Sequence, residues 1–431
     1  MDAAIELEEA EPVALKTERA SATAHCRFCQ ASLTHTFVDL GMSPLCESYL
    51  TADQLNGMEP FYPLHVKVCE ECFLVQLEQY VSAEHIFTEY AYFSSYSDSW
   101  LKHSSNYVDM ISERLALGAE SLAVELASND GYLLQYFVEK GIPVLGVEPA
   151  VNVAKVAEQK GVPTLVKFFG CQTARQMVAD GQAADLVIGN NVLAQVPDLN
   201  DFVGGIRILL KPGGVATLEF PHLERLMAEN QYDTIYHEHF SYFSLITVEK
   251  IFASHGLVLF DVDEISTHGG SIRIYLRRVE NSSKPVTPAV LSLRERELAA
   301  GLNRIETYAT FAEKVMESKR ALLELLIRLR REGKRVAGYG APGKGNTLLN
   351  YCGIRTDFLE FTVDRNPYKH GRFLPGTHIP IHSPERIRQC RPDYILILPW
   401  NLKAEIVAQL AYARQWGAKF IVPIPTAQVL D

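Results

Sequence analysis

The stretch SLAVELASNDG, residues 121–131, decides the fold. Its first half is a short, nearly unbroken apolar run, the pattern of a strand buried on both faces of a parallel sheet. After Glu125 the chain passes through Ala127, Ser128, Asn129 and Gly131 into an apolar helix start, YLLQYF. A strand, a turn of small residues and a helix, in that order, bring backbone close to a ligand.

Working outward, PVLGV (143–147), ADLVI (184–188) and GVATLEF (214–220) read as further buried strands alternating with helical stretches. That alternation predicts a parallel sheet flanked by helices. Glu148 closes the second of these strands, 17 residues after Gly131. An acid at that strand end accepts hydrogen bonds from both hydroxyls of a ribose. Asn190 and Asn191 follow the next strand, again on the carboxyl edge where such sheets bind ligands. Residues 256–261 and 271–277 read as two late strands joined by a Gly-containing loop, and residues 289–333 as a long helical connector without Pro. A second alternation then begins, with RVAGYG, FLEFTVD, YILILP and KFIVPIP as strands. The expected division is a disordered tail (1–24), a metal-binding block (25–88), a central α/β domain (89–282), the connector (283–333) and a C-terminal α/β lobe (334–431).

Length and composition set the outer limits. A chain of 431 residues predicts two or three domains, and its net charge of -11 disfavours nucleic acid or an acidic membrane surface as partner. No apolar run reaches the roughly 18 residues of a membrane span. The acidic N-terminus lacks the basic and apolar regions of a secretory signal, and eight cysteines in this length are too sparse for a disulfide scaffold. A cytoplasmic monomer is the expectation.

Four of those cysteines are paired in spacing. Cys26 and Cys29, then Cys69 and Cys72, form two C-x2-C knuckles separated by 39 residues. Such pairs suit a tetrahedral zinc site, and four thiolates leave no open position, so the metal is expected to be structural. The alternative is four unrelated buried cysteines. Cys46, Cys171, Cys352 and Cys390 have no such partners and read as core residues.

A second glycine loop, Gly338, Gly340, Ala341, Gly343, Lys344, Gly345 and Asn346, follows strand RVAGYG and opens an apolar helix. It presents backbone N–H groups to an anion, Lys344 fits a phosphate, and Asp364 at the end of the next strand fits a ribose. Alone, this loop reads equally as an NAD site. Between the two loops lies YDTIYHEHFSYFS (232–244), dense in Tyr236, His237, Glu238, His239 and Tyr242. Its histidines stand two apart, which is not the spacing of H-E-x-x-H metal sites. General acid–base chemistry is the better reading, with phenols available to a developing oxyanion. A second aromatic cluster, Glu89, Tyr90, Tyr92, Phe93 and Tyr96, reads as an interdomain seam or as part of that site.

The order of these motifs, ending with HGGSIRIY (268–275) and GYGAPGKGNTLL, resembles the bacterial sugar C-methyltransferases that build branched deoxysugars from dTDP-linked 4-keto hexoses. The first loop is similar to the E-x-G-x-G-x-G turn of class I methyltransferases, with Ala127 and Asn129 where glycines usually stand. The resemblance covers residues 25–431 and implies an N-terminal structural zinc, a central Rossmann-like class I methyltransferase fold and a C-terminal Rossmann-like α/β lobe that holds the nucleotide sugar. It implies S-adenosylmethionine as cofactor, bound by Ala127, Ser128, Asn129, Gly131, Glu148, Asn190 and Asn191. It further implies His239 as the base that takes the C-3 proton, with Tyr236, Glu238 and Tyr90 orienting it or contacting the sugar. Gly340, Ala341, Lys344, Asn346, Asp364, Ser271 and Arg273 are assigned to the nucleotide-linked substrate. Gln195 departs from the family, many of whose members carry His there; Gln cannot exchange protons near neutral pH. The rivals are an NAD-dependent oxidoreductase, an O- or N-methyltransferase, and a sugar-nucleotide binding protein without turnover.

Overall fold

The computed structural model describes residues 24–430 except 84, 85, 87–93 and 97. The expected tail, residue 24 apart, and Tyr90 with its neighbours 89–93 lie outside the described residues. The metal block folds as β1 (His35–Ser43), β2 (Tyr62–Val68) and β3 (Val75–Leu77). Helix α1 (Asp98–Leu115) leads into β4 (Ala123–Leu126), α2 (Leu134–Glu139), β5 (Val144–Val147), α3 (Val151–Gln159), β6 (Thr164–Leu165), α4 (Cys171–Ala179) and β7 (Ala184–Asn190). Next come α5 (Leu199–Leu209), β8 (Leu210–Pro221), α6 (Leu223–Ala228), β9 (Ser241–Tyr242), α7 (Leu245–Ser254), β10 (Leu257–Ile265) and β11 (Ser271–Arg278).

The central sheet has the order β10-β11-β8-β7-β4-β5-β6. Strands β6, β5, β4, β7 and β8 run parallel, and β11 pairs antiparallel with both β8 and β10. The parallel crossovers reverse direction at β4 and β7, which opens the carboxyl edge there to a ligand. All four residues of β4 are buried, as the apolar run requires. Tyr107, Val108 and Ile111 of α1 cover one face of the sheet, and α5 and α7 cover the other.

The connector is not one helix. Residues 288–331 form α8 (Pro288–Ala299), α9 (Ile305–Ala309) and α10 (Phe311–Arg331), the first break falling beside Gly301 at φ +81°. Helix α10 buries Phe311, Val315, Ser318, Leu322, Leu325, Leu326 and Leu329, one face at helical spacing. That face packs between the metal-block sheet and the C-terminal lobe in one continuous core; Phe37 of β1 stacks on Phe311 at 4.5 Å. Each such buried side chain stabilises the junction by roughly 1.5–3 kcal/mol.

The C-terminal lobe contains β12 (Val336–Tyr339), α11 (Gly343–Cys352), β13 (Thr362–Val363), β14 (Ile381–His382), β15 (Tyr394–Ile397), β16 (Lys419–Val422) and β17 (Gln428–Leu430). Its order β14-β13-β12-β15-β16-β17 repeats the central plan, with the first strand between its successors. Strand β9 joins the tyrosine–histidine segment to the metal block, pairing with β3. Of the unpaired cysteines, Cys46 and Cys352 are core residues, whereas Cys171 and Cys390 are only half-buried. No helix among the described residues is long and apolar enough to cross a membrane.

Candidate active site and metal centre

The four knuckle cysteines converge. Their sulfur atoms all lie within 4.8 Å of one another, with Cys26 and Cys72 at 3.6 Å and Cys29 and Cys69 at 3.5 Å. A tetrahedral zinc with Zn–S bonds of about 2.3 Å spaces its sulfurs by roughly 3.8 Å, so the set fits that ion. Gln76 Nε2 donates to Cys26 Sγ at 3.2 Å, and Thr247 of α7 donates to the Cys72 carbonyl at 3.2 Å. The metal centre thus pins the N-terminal block to the central domain and takes no part in an open site.

The first loop is built on left-handed backbone. Ala127 has φ +55°, Asn129 +48° and Gly131 +73°. The two residues standing where glycine is usual therefore adopt the conformation glycine prefers, which costs an L-residue roughly 1–2 kcal/mol. Glu148, 5% exposed, accepts the Asn129 N–H through Oε2 at 2.9 Å and the Ala150 N–H through Oε1 at 2.8 Å. Burial raises its carboxyl above the usual range, against the opposing pull of those two bonds. Ser128 Oγ, both amide atoms of Asn190 and Asn191 Oδ1 are buried without a hydrogen-bond partner. Orphaned polar atoms at a switch point, beside a fixed acid, could take up the polar groups of an amino-acid-bearing nucleoside. Every residue predicted for S-adenosylmethionine lies on this edge.

His239 belongs to the segment that packs beside the carboxyl end of β7. Its Nδ1–H donates to the Thr234 carbonyl at 3.1 Å, its ring lies 4.1 Å from that of Tyr236, and Tyr242 meets it edge-on at 6.3 Å. Burial pushes its pKa down to about 4, against the Thr234 bond, and the nearby charges of His268 and Lys344 press the same way. The neutral ring thus keeps its lone pair on Nε2. Glu238 turns elsewhere: it accepts the Cys46 thiol at 3.0 Å, and burial with the neighbouring Glu47 pushes its pKa up to about 7. His237 donates to the Pro63 carbonyl at 3.2 Å. Phe240 N–H donates to the Ala194 carbonyl at 2.7 Å, which sets Gln195 beside this segment.

The second loop is filled by protein. A Cβ on Gly340 would meet Pro399 at 2.5 Å, on Gly343 Cys46 Sγ at 2.7 Å, and on Gly345 Leu398 at 3.1 Å. A dinucleotide needs those glycine faces open to its pyrophosphate, so this loop does not offer the NAD site that its spacing suggests. Asp364 accepts the Ala341 and Asn366 N–H groups at 2.7 and 2.8 Å, and Asn346 Nδ2 donates to the Cys46 carbonyl at 2.6 Å. Lys344 lies where this lobe meets the central domain, near Asp233. Its Nζ donates to Asn401 Oδ1 at 2.9 Å and lies 5.0 Å over the Trp400 ring, while Trp400 Nε1 donates to buried Asp233 at 2.7 Å.

Ser271 and Arg273 are likewise engaged internally. Ser271 donates to the Thr267 carbonyl at 3.0 Å. Arg273 and His103 both donate to Glu219 Oε2, at 2.8 and 2.9 Å, and Thr267 to Oε1 at 2.9 Å. Glu219, fully buried at the end of β8, is held below the usual carboxylate range by these donors despite its burial. Glu219, His103 and Trp400 were not singled out by sequence reasoning, because single residues scattered over three elements make no spacing pattern; Asp233 lies within the tyrosine–histidine segment that the sequence does mark.

Comparison with known proteins matches residues 103–262 to a family described as methyltransferase domain and residues 266–425 to one described as C-methyltransferase C-terminal domain. Residues 26–87 match one described as "Putative zinc binding domain". The C-methyltransferase NovU of Streptomyces niveus is 37% identical over 406 residues, 94% of this chain and 96% of that protein. A ubiquinone biosynthesis O-methyltransferase of Methylobacterium sp. (strain 4-46) is 35% identical over 107 residues, 23% of this chain and 42% of its own. The magnesium protoporphyrin IX methyltransferase of Synechocystis PCC 6803 with bound SAM covers 42% of this chain and 82% of its own at 17% identity, with a TM-score of 0.32. Identity spanning nearly the whole of both chains joins a four-cysteine block, a methyltransferase sheet and a C-terminal lobe in one protein; the chain belongs to the C-methyltransferase family and is an S-adenosylmethionine-dependent C-methyltransferase with a zinc-binding N-terminal domain.

Proposed function

We propose that the acceptor is a nucleotide-linked 4-keto deoxysugar, dTDP-linked, and that the methyl group goes to C-3 beside the ketone. The observation that carries this reading is the state of His239: Nδ1 is committed to the Thr234 carbonyl, so Nε2 is the free acceptor of a proton. Carbon becomes nucleophilic only when a proton leaves it, and a neighbouring ketone acidifies that proton. His239 takes it, Tyr236 holds the imidazole face, and the enolate is the nucleophile. S-adenosylmethionine, when bound, supplies an electrophilic methyl group. Lys344, buried and cationic beside Asn401, suits the diphosphate that links sugar to nucleoside. The motif order shared with sugar C-methyltransferases supports the same acceptor.

The test is product analysis. The purified protein, with S-adenosylmethionine and a panel of dTDP- and UDP-linked 4-keto sugars, should yield a product heavier by one methylene, with the new methyl on C-3 by NMR. A methyl on oxygen or nitrogen, or no product from any keto sugar, overturns the reading.

A further inference from the structure

The geometry points to His268 as a further catalytic residue: an imidazole that hydrogen-bonds the acceptor's carbonyl oxygen as negative charge develops there. This role rests on the keto-sugar reading above. His268 lies between β10 and β11. Strand β10 runs with the parallel strands, because both it and β8 are antiparallel to β11, so the loop opens on the same carboxyl edge as the cofactor turn. The ring packs edge-on against Trp100 at 5.2 Å, and its Nδ1 is buried with no partner.

The backbone shows that this placement is enforced. His268 has φ +55°, ahead of Gly269 at +93° and Gly270 at +117°. A left-handed histidine persists only where its surroundings over-determine it, and here they do. Thr267 is tied to Glu219 at 2.9 Å, Gly270 N–H donates to the Thr267 carbonyl at 2.9 Å, and Gln231 donates to the Gly269 carbonyl at 2.7 Å. Gly269 leaves no space for a Cβ, which would meet Trp400 at 2.7 Å. Burial, followed by the charge of Lys344, pushes the His268 pKa down to about 4. The ring is therefore neutral, and a neutral imidazole has one N–H to donate.

Two neutral imidazoles then divide one step. The C-3 proton goes to Nε2 of His239, the C–H electron pair becomes the C=C bond, and the carbonyl π pair moves onto oxygen. The N–H of His268 donates to that oxygen and keeps its proton. Nothing is oxidised or reduced.

The test uses the full-length protein, a dTDP-linked 4-keto-6-deoxyhexose and two variants. His268→Gly suits the left-handed backbone, so it should bind S-adenosylhomocysteine normally and melt no lower than the native protein. Its kcat, and its exchange of the C-3 hydrogen into deuterated water with S-adenosylhomocysteine bound, should fall about 10²–10³-fold, as for loss of one oxyanion donor. His268→Gln keeps an N–H donor and should retain more of both rates. Exchange and kcat within about twofold of native in His268→Gly would overturn the role. A parallel loss of S-adenosylhomocysteine affinity, melting temperature and rate in both variants would overturn it too, by making the residue structural. A native protein that neither exchanges nor methylates the keto sugar overturns the acceptor reading beneath it, and is recognised without any variant.

Discussion

Glu148 and Asp364 hold their loops by the same bond. Glu148 Oε2 accepts the N–H of Asn129 at 2.9 Å, and Asp364 Oδ2 accepts the N–H of Ala341 at 2.7 Å. Each acid ends the second strand of its sheet and fastens the turn after the first, so one local plan serves both lobes. The consequences differ because the first turn faces orphaned polar atoms and the second faces Pro399 and Cys46.

That contrast sets the cofactor prediction. Glu148→Ala removes a charged acceptor and frees the Asn129 N–H, so S-adenosylmethionine binding should weaken by roughly 2–4 kcal/mol, at about 1.5–3 per charged hydrogen bond. Asp364→Ala should leave that affinity unchanged. Calorimetry on both variants decides; equal affinities would remove Glu148 from the site.

Ala127 is the residue to relax. At φ +55° it carries left-handed strain that glycine does not, and relief should outweigh glycine's greater unfolded-state entropy. Ala127→Gly should therefore raise stability by about 0.5–1 kcal/mol, measured by urea denaturation. A loss of stability would mean that the Ala127 methyl group contributes more by packing than its backbone costs.

The metal makes the simplest claim. One zinc per chain is expected by elemental analysis, and a strong chelator should lower the melting temperature, because binding at a structural site is folding free energy. Cys69→Ala should give metal-free or insoluble protein. Full stability after zinc is stripped would contradict the pinning of Cys72 to α7.

What was legible in the sequence was what repeats along it. Residues 121–127, 143–147, 184–188 and 214–220 carry β4, β5, β7 and β8 because burial on both faces leaves a local apolar run. The cysteine knuckles were legible because two ligands sit on one turn. The loop over Gly340 was legible as a turn but not as to what fills it, since Cys46 is some 300 positions away in sequence. Strand β9 was hidden for the same reason: two residues pair with β3 across a long separation, and no local pattern records a non-local pairing.

Glu238 gives a pH signature. Its carboxyl, ordinarily near 4.5, is pushed up to about 7 by burial and Glu47, so the folded protein holds a proton that the unfolded chain gives up. The stability from that difference is present below about pH 4.5 and is lost as pH rises through about 7. Glu238→Gln should gain on the native protein by about 1–3 kcal/mol between pH 5 and pH 8, given about 1.4 kcal/mol per pKa unit. Parallel denaturation curves at the two pH values would show that Glu238 ionises normally.

His239 carries the last prediction. Asn in its place can still donate to the Thr234 carbonyl, so the segment should hold its shape while the proton acceptor disappears. His239→Asn should keep cofactor and sugar binding and lose about two to four orders of magnitude in turnover, the usual share of a general base. The pH dependence separates this from a packing role. With its pKa pushed down to about 4, the imidazole is neutral across the physiological range, so native kcat/KM should hold down to mildly acid pH and fall only as the ring protonates. The variant has no proton acceptor there, and its residual rate should rise with hydroxide instead. If His239 only packs or contacts phosphate, the variant should bind sugar more weakly, turn over near the native rate at saturation and keep the native acid limb. Binding, single-turnover rate and the acid limb, measured on the same two proteins, give opposite patterns under the two roles.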